Sequence, residues 1–250
     1  MSQGFRIGSL FGFPIRVHFS FLLLLGAVLL FMGGVPGVFV ALMVAGSVLV
    51  HELGHALVAR HLGVPVTGIG LHFFGGAAQM AGLPRRAGDE IAIAAAGPAV
   101  SFALAGAGFA LAALTGVGIF GLFATVNLVL ALFNLLPAFP SDGGRILRAL
   151  LALRHDFARA TDLAVKVGRV VCVAMAVAGL FLGSFQLVAV AIALWTFGSA
   201  ERVAARTRGY SGWPGSAALV DSRVEYTPPG ARRRDAHFSS GRPMVFVWRR

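Results

Sequence analysis

The sequence predicts an all-α polytopic membrane protein of about six transmembrane helices, with a short β-hairpin or re-entrant segment after the second. Three observations predict it. Apolar residues make up 57% of the 250 residues and charged ones only 12%, about half the roughly 25% usual in a soluble domain, and mean hydropathy is +0.82. The apolar residues fall in long runs, each near the ~20 residues that a ~30 Å hydrocarbon core requires. The net charge is +11, and the arginines gather between alternate runs and toward the end of the chain. That distribution suits a positive-inside membrane pattern better than a nucleic-acid surface, for which no motif is present.

Residues 1–16 carry Arg6 and Arg16 among glycine and phenylalanine and should lie at the membrane interface. The first span, 17–33, is followed by no small-residue cleavage pattern and is expected to be retained. Gly33-Gly34-Val35-Pro36-Gly37 reads as a turn. The second span, 38–59, ends at Arg60-His61. Residues 64–82 place Gly68, Gly70, Gly75, Gly76 and Gly82 among Ile69, Leu71, Phe73 and Phe74, too broken for a helix. They read as an extended hairpin or re-entrant segment, which membrane depth tolerates only under cover of protein or along a cavity. Arg85, Arg86, Asp89 and Glu90 mark a return to water. A third span, 91–114, is rich in alanine and glycine, which favours close helix packing. The fourth, 118–136, breaks at Pro137 and Pro140, and a helix then starts with Asp142 in its first turn, followed by Arg145, Arg148 and Arg154. The fifth and sixth spans are 161–181 and 185–199. Residues 201–250, with Arg232-Arg233-Arg234 and Arg249-Arg250, are expected to form a basic, flexible cytoplasmic tail attracted to anionic lipid. The turns at 33–37, 115–118 and 182–184 are uncharged while the other connections carry arginine, so both termini are expected in the cytoplasm.

The chemistry sits in the second span, at His51-Glu52-Leu53-Gly54-His55. On a helix His51 and His55 project from one face and can share a metal ion. Glu52 lies about 100° round the axis, placed to reach a water at that metal. This is the H-E-x-x-H pattern of two zinc-binding imidazoles with a glutamate as general base. Ionisable groups inside a membrane span are costly and mark function. A catalytic zinc takes a third protein ligand and keeps a position for water. Asp142, at the cytoplasmic end of the proline-broken fourth span, is the candidate. Its plainer reading is a helix N-terminal charge meeting the macrodipole, with Ser141 as cap. The loop charges put both ends of this site in the cytoplasmic half of the bilayer.

These residues resemble the site-2 protease family of intramembrane zinc metalloproteases, in its compact bacterial and archaeal branch. The resemblance rests on His51 to His55 within a span and on the N-x-x-P-x-x-P-x-D-G-G-R stretch from Asn134 to Arg145. It is supported by His72-Phe73-Phe74-Gly75-Gly76-Ala77-Ala78-Gln79-Met80, similar to the family's short hairpin, and by Ala96-Gly97-Pro98 opening the third span. It covers about residues 5–200 and implies that 1–200 form an intramembrane metalloprotease domain. The implied cofactor is one Zn²⁺ per chain, on His51, His55 and Asp142, with Glu52 as the catalytic base acting on metal-activated water. Asn134 would bind substrate backbone or the developing oxyanion; its plainer role is an interhelical hydrogen bond, as expected for Asn127. Implied substrates are single-span membrane proteins such as anti-sigma factors or tethered transcription factors, cut within or beside the transmembrane segment in a bacterial or archaeal cell membrane. The lipid bilayer is another partner, a homo-oligomer is a candidate assembly, and no nucleic acid is expected. Where the family often follows Ala-Gly-Pro with an asparagine this chain has Ser101, which would supply the polar group instead. The rival function is a non-proteolytic zinc-binding membrane transporter or sensor. Glu52 separates the two, since transport has no need of a non-ligand carboxylate beside the metal.

Overall fold

The computed structural model describes residues 4–72, 75–80, 84 and 86–207. The chain begins with strands β1 (Phe5–Leu10) and β2 (Phe13–Val17), then helices α1 (Phe19–Met32) and α2 (Gly34–His61). Strands β3 (Val66–His72) and β4 (Gly75–Met80) follow, then α3 (Ala87–Thr115), α4 (Gly118–Asn134), α5 (Asp142–Ala152), α6 (Phe157–Phe181) and α7 (Phe185–Thr207).

The four strands form one sheet in the order β1-β2-β3-β4, with β2 and β3 parallel and the outer pairs antiparallel. The hairpin expected after the second span is present as β3 and β4; Phe73, Phe74 and Arg85 lie outside the described residues. The segment expected at the membrane interface, residues 1–16, contains two strands that its sequence did not announce. Phe11 and Gly12, at φ 50° and 88°, make the two-residue turn with positive φ at both positions that matches strand twist. Phe13 and Ile15 then alternate inward while Arg16 points out. The inner face of the sheet, Phe13, Ile15, Ile69 and Leu71, packs on Phe21 of α1 and on Val48, Leu53 and Ala56 of α2. The sheet is thus clamped to the helix turn that carries the histidines.

Four helices are long and apolar enough to cross a bilayer: α2, α3, α6 and α7. Two others are apolar but shorter, α1 with 14 residues and α4 with 17. At ~1.5 Å per residue they reach about 21 and 26 Å, short of a ~30 Å core. Val17 is drawn into β2, which shortens α1. Leu29, Leu30, Phe31, Phe181 and Phe185 are exposed, an arrangement that only lipid makes favourable, and the protein is an integral membrane protein. α3 packs against α4 through small residues: a Cβ on Gly108 would stand 2.9 Å from the Ala124 methyl, the close approach that membrane helices use.

Two charged links tie the C-terminal helices to the rest. Arg148 of α5 is buried and donates to Glu90 of α3 and, at 2.6 Å, to Glu201 of α7. Arg202 of α7 donates to Asp162 of α6, with one bond at 3.0 Å. α7 runs on through Thr207, seven residues into the segment read as a tail, and residues 208–250 lie outside the described part.

Candidate metal centre

His51 and His55 are both buried, on the face of α2 that meets α3. α3 passes very close. A Cβ on Gly54 would stand 3.1 Å from the Ala96 carbonyl oxygen. A Cβ on Gly97 would collide with His55 Nε2 and stand 2.6 Å from His51 Nε2. α3 also supplies the groups that orient both rings. His55 Nδ1–H donates to the Ile93 carbonyl at 2.6 Å, and His51 Nδ1 is 2.9 Å from Ser101 Oγ. Both Nε2 atoms therefore face inward, the orientation that metal-binding imidazoles require. The serine that departs from the family pattern is fully buried and fills the polar role expected of it. Ser101→Ala should weaken zinc binding by about 10–100-fold, the usual loss for a partner of a liganding histidine. Titration with a competing chelator measures this, and an unchanged affinity would remove Ser101 from the site.

Asp142 arrives from the other side. The loop 135–141 folds back over the first turn of α5, and Gly143 and Gly144 permit it. A Cβ on Gly143 would collide with the carbonyl oxygens of Leu135 and Leu136, and one on Gly144 would stand 2.9 Å from Phe139 N. Ser141 does not cap the helix; its hydroxyl donates to the Leu136 carbonyl at 2.8 Å. Asp142 Oδ2 lies 3.2 Å from His51 Nε2 and 3.1 Å from His55 Nε2, and the two Nε2 atoms are 3.2 Å apart. Three donors on a tetrahedral zinc at ~2.0–2.1 Å would be about 3.3 Å from one another, so this triangle has the size of one zinc face. Burial opposes ionisation of Asp142, but the two imidazoles and the nearby Arg145 outweigh it and hold the carboxyl below the usual range.

Glu52 also falls within 4.8 Å of the histidine nitrogens, so proximity alone would admit it as a third ligand. The tighter Asp142 distances argue otherwise, as does its own partner: Glu52 Oε2 accepts a 2.9 Å hydrogen bond from Ala78 N–H on β4. Strand and side chain are in close contact, for a Cβ on Gly76 would collide with Glu52 Cγ. Glu52, His55 and Asp142 open on a cavity of about 490 Å³ that also meets Asn134, His72, Arg145 and, from α7, Leu194 and Phe197.

Asn134 is half-buried at that cavity with its amide donating to Leu130 O at 2.9 Å, which leaves its carbonyl for other partners. Asn127 is fully buried and bonds Ser47 of α2 at 3.0 Å, the interhelical role expected. His18, just before α1, is buried and stacks on His72 with ring centroids 3.8 Å apart. Burial, and secondarily His18, hold the His72 imidazole below its ordinary range. Only the fold, by pairing β2 with β3, brings these two rings together.

The chain matches the model for peptidase family M50 over residues 39–121 and 113–175. It is 41% identical over 204 residues to Rip3 of Mycobacterium tuberculosis, which is named as a zinc metalloprotease, covering 72% of this chain and 52% of that protein. A zinc metalloprotease of Methanocaldococcus jannaschii is 31% identical over 81% of this chain and 61% of its own length. The chain thus spans about half the length of the first relative and 61% of the second. Among solved structures, the site-2 protease from Methanocaldococcus jannaschii is similar at TM-score 0.63 and 31% identity, over 80% of this chain and 95% of that one.

Proposed function

The chain belongs to peptidase family M50, the site-2 proteases, whose metal is zinc, and from that premise we propose that it is an intramembrane zinc endopeptidase. Its substrate is a membrane-anchored regulatory protein with a single span, cut within that span. The observation that carries this is the 3.1–3.2 Å triangle of His51, His55 and Asp142 beside a carboxylate that is not part of it. His51, His55 and Asp142 hold the zinc. Zinc held there polarises a carbonyl and makes water acidic enough to give up a proton near neutral pH. Glu52 takes that proton and returns it to the leaving nitrogen. Ala78 N–H keeps the carboxylate of Glu52 oriented between transfers. Asn134 offers its free carbonyl oxygen to a substrate backbone N–H.

Six apolar helices cross or enter the bilayer, and residues 1–200 form the protease domain with the remainder as a basic tail. The termini and the site lie toward the cytoplasm, a reading that the positions of the arginines support. Glu52, which a transporter or sensor would not need, favours hydrolysis over transport. The test reconstitutes the purified protein in liposomes with a panel of tagged single-span proteins. Cleavage mapped by mass spectrometry to the apolar segment, stopped by a zinc chelator and restored by zinc, is the expected result. Zinc uptake by the same liposomes without any cleavage would replace this reading with the transport one.

A further inference from the structure

A second cavity, of about 420 Å³, adjoins the catalytic one; Ala78, Met80, Pro140, Arg145 and Phe197 border both. Its charges are unequally matched. Arg148 is claimed by both Glu90 and Glu201. Arg145, three residues after Asp142 and so on the same face of α5, stands at the junction of the cavities. It is half-buried, and its guanidinium makes no hydrogen bond or ion pair among the described residues. Its charge nevertheless acts on Asp142. A partly desolvated cation without a carboxylate partner is costly at membrane depth. A guanidinium also presents a planar fork of donors that fits a carboxylate or an oxyanion.

We propose that Arg145 is an anion-binding subsite of the reaction. It receives the negative charge that develops on the scissile carbonyl oxygen and then the carboxylate of the cleaved chain. The inference rests on the protease reading. Water adds its oxygen to the carbonyl carbon while Glu52 accepts a proton. The bond to nitrogen breaks, both protons of the water end on the leaving amine, and the acyl half departs as a carboxylate. Charge thus appears first on oxygens within the cavity that Arg145 and Asp142 both line. Glu90 and Glu201 line the neighbouring cavity bonded to Arg148, so of these two arginines it is Arg145, at the junction, that can receive the carboxylate.

Arg145→Gln and Arg145→Lys test this in the full-length zinc-loaded protein. One readout needs no turnover: binding of an N-acetylated tetrapeptide of leucine and alanine, as free acid and as C-terminal amide. The wild type should bind the acid at least about tenfold more tightly than the amide, and Arg145→Gln should narrow that ratio about tenfold, with Arg145→Lys between them. The other readout is kinetic: kcat should fall about 10²–10³-fold in Arg145→Gln, with KM changed less than about threefold and zinc content unchanged. An Arg145→Gln protein that keeps the acid preference overturns the proposal, whatever its turnover, and so does one that loses its zinc. A wild type that cleaves no member of the substrate panel would sink the protease reading and with it the role of Arg145 in turnover, while the peptide comparison still decides by itself whether Arg145 binds the carboxylate.

Discussion

Glu52→Gln should abolish cleavage, by about 10³–10⁴-fold, the upper part of the range for losing a positioned base, while one zinc stays bound. The substitution keeps shape and size. Its amide oxygen can still accept the Ala78 N–H that now holds Glu52 Oε2 at 2.9 Å, so β4 and the wall of the cavity should not move. The amide cannot take a proton from water. His51, His55 and Asp142 form their triangle without Glu52, so metal analysis should read wild-type stoichiometry. Cleavage within tenfold of wild type would remove Glu52 as the base. Loss of zinc would instead make it a ligand.

Gly97→Ala should empty the site of zinc, to below about a tenth of wild-type content, although the residue has no polar group. The added methyl would collide with His55 Nε2 and press on His51 Nε2, in the space that both Nε2 atoms face. Relief would require one ring to swing away, and Nδ1 of each is already held by Ser101 or by the Ile93 carbonyl. Neither the helix nor the fold should suffer from the change of residue type itself, since alanine is about 1 kcal/mol better than glycine inside a helix. Gly106→Ala on the same helix is the matched control, because a Cβ there meets nothing within 4 Å; it should keep its zinc. Equal zinc in the two variants would show that α3 can retreat from the histidines.

The chemistry was legible in the sequence to the extent that it is periodic or incompatible with its surroundings. His51, Glu52 and His55 stand out because charge is out of place in an apolar run, and Asp142 because two prolines break the helix just before it. The hairpin of β3 and β4 followed from glycine density. What escaped is what tertiary structure alone decides. The turn at Phe11 and Gly12 lacks the Asn-Gly or Asp-Gly signature, and the strands beside it are short, so β1 and β2 were hidden. The pairing of Arg148 with Glu90 and Glu201 joins residues 58 and 53 positions apart, and no spacing rule reaches that far. Gly97 reads in sequence as one more small residue of a packing helix; only the distance to two imidazole nitrogens shows what a side chain there would do. The apolar runs around α1 and α4 promised full spans, but strand β2 takes one end of the first and the loop at 135–141 takes the end of the other.

The parallel pairing of β2 with β3, Ile15 against Ile69, has a consequence for how the molecule is made. A ribosome delivers β2 before either α1 or α2, and although β2 pairs with β1 on one edge, its other edge has no partner until β3 emerges, after both helices. Such a closure over a long intervening segment is entropically slow. The hairpin of β1 and β2 must wait at the membrane surface with Phe13 and Ile15 uncovered while the zinc helix is threaded. The metal-binding turn of α2 acquires its lid of strands only once both helices are in place, and the arrival of α3 and then Asp142 completes the site last. Zinc capture is therefore expected late in biogenesis: a nascent chain stalled before α5 carries α1 to α4 and both histidines but not Asp142.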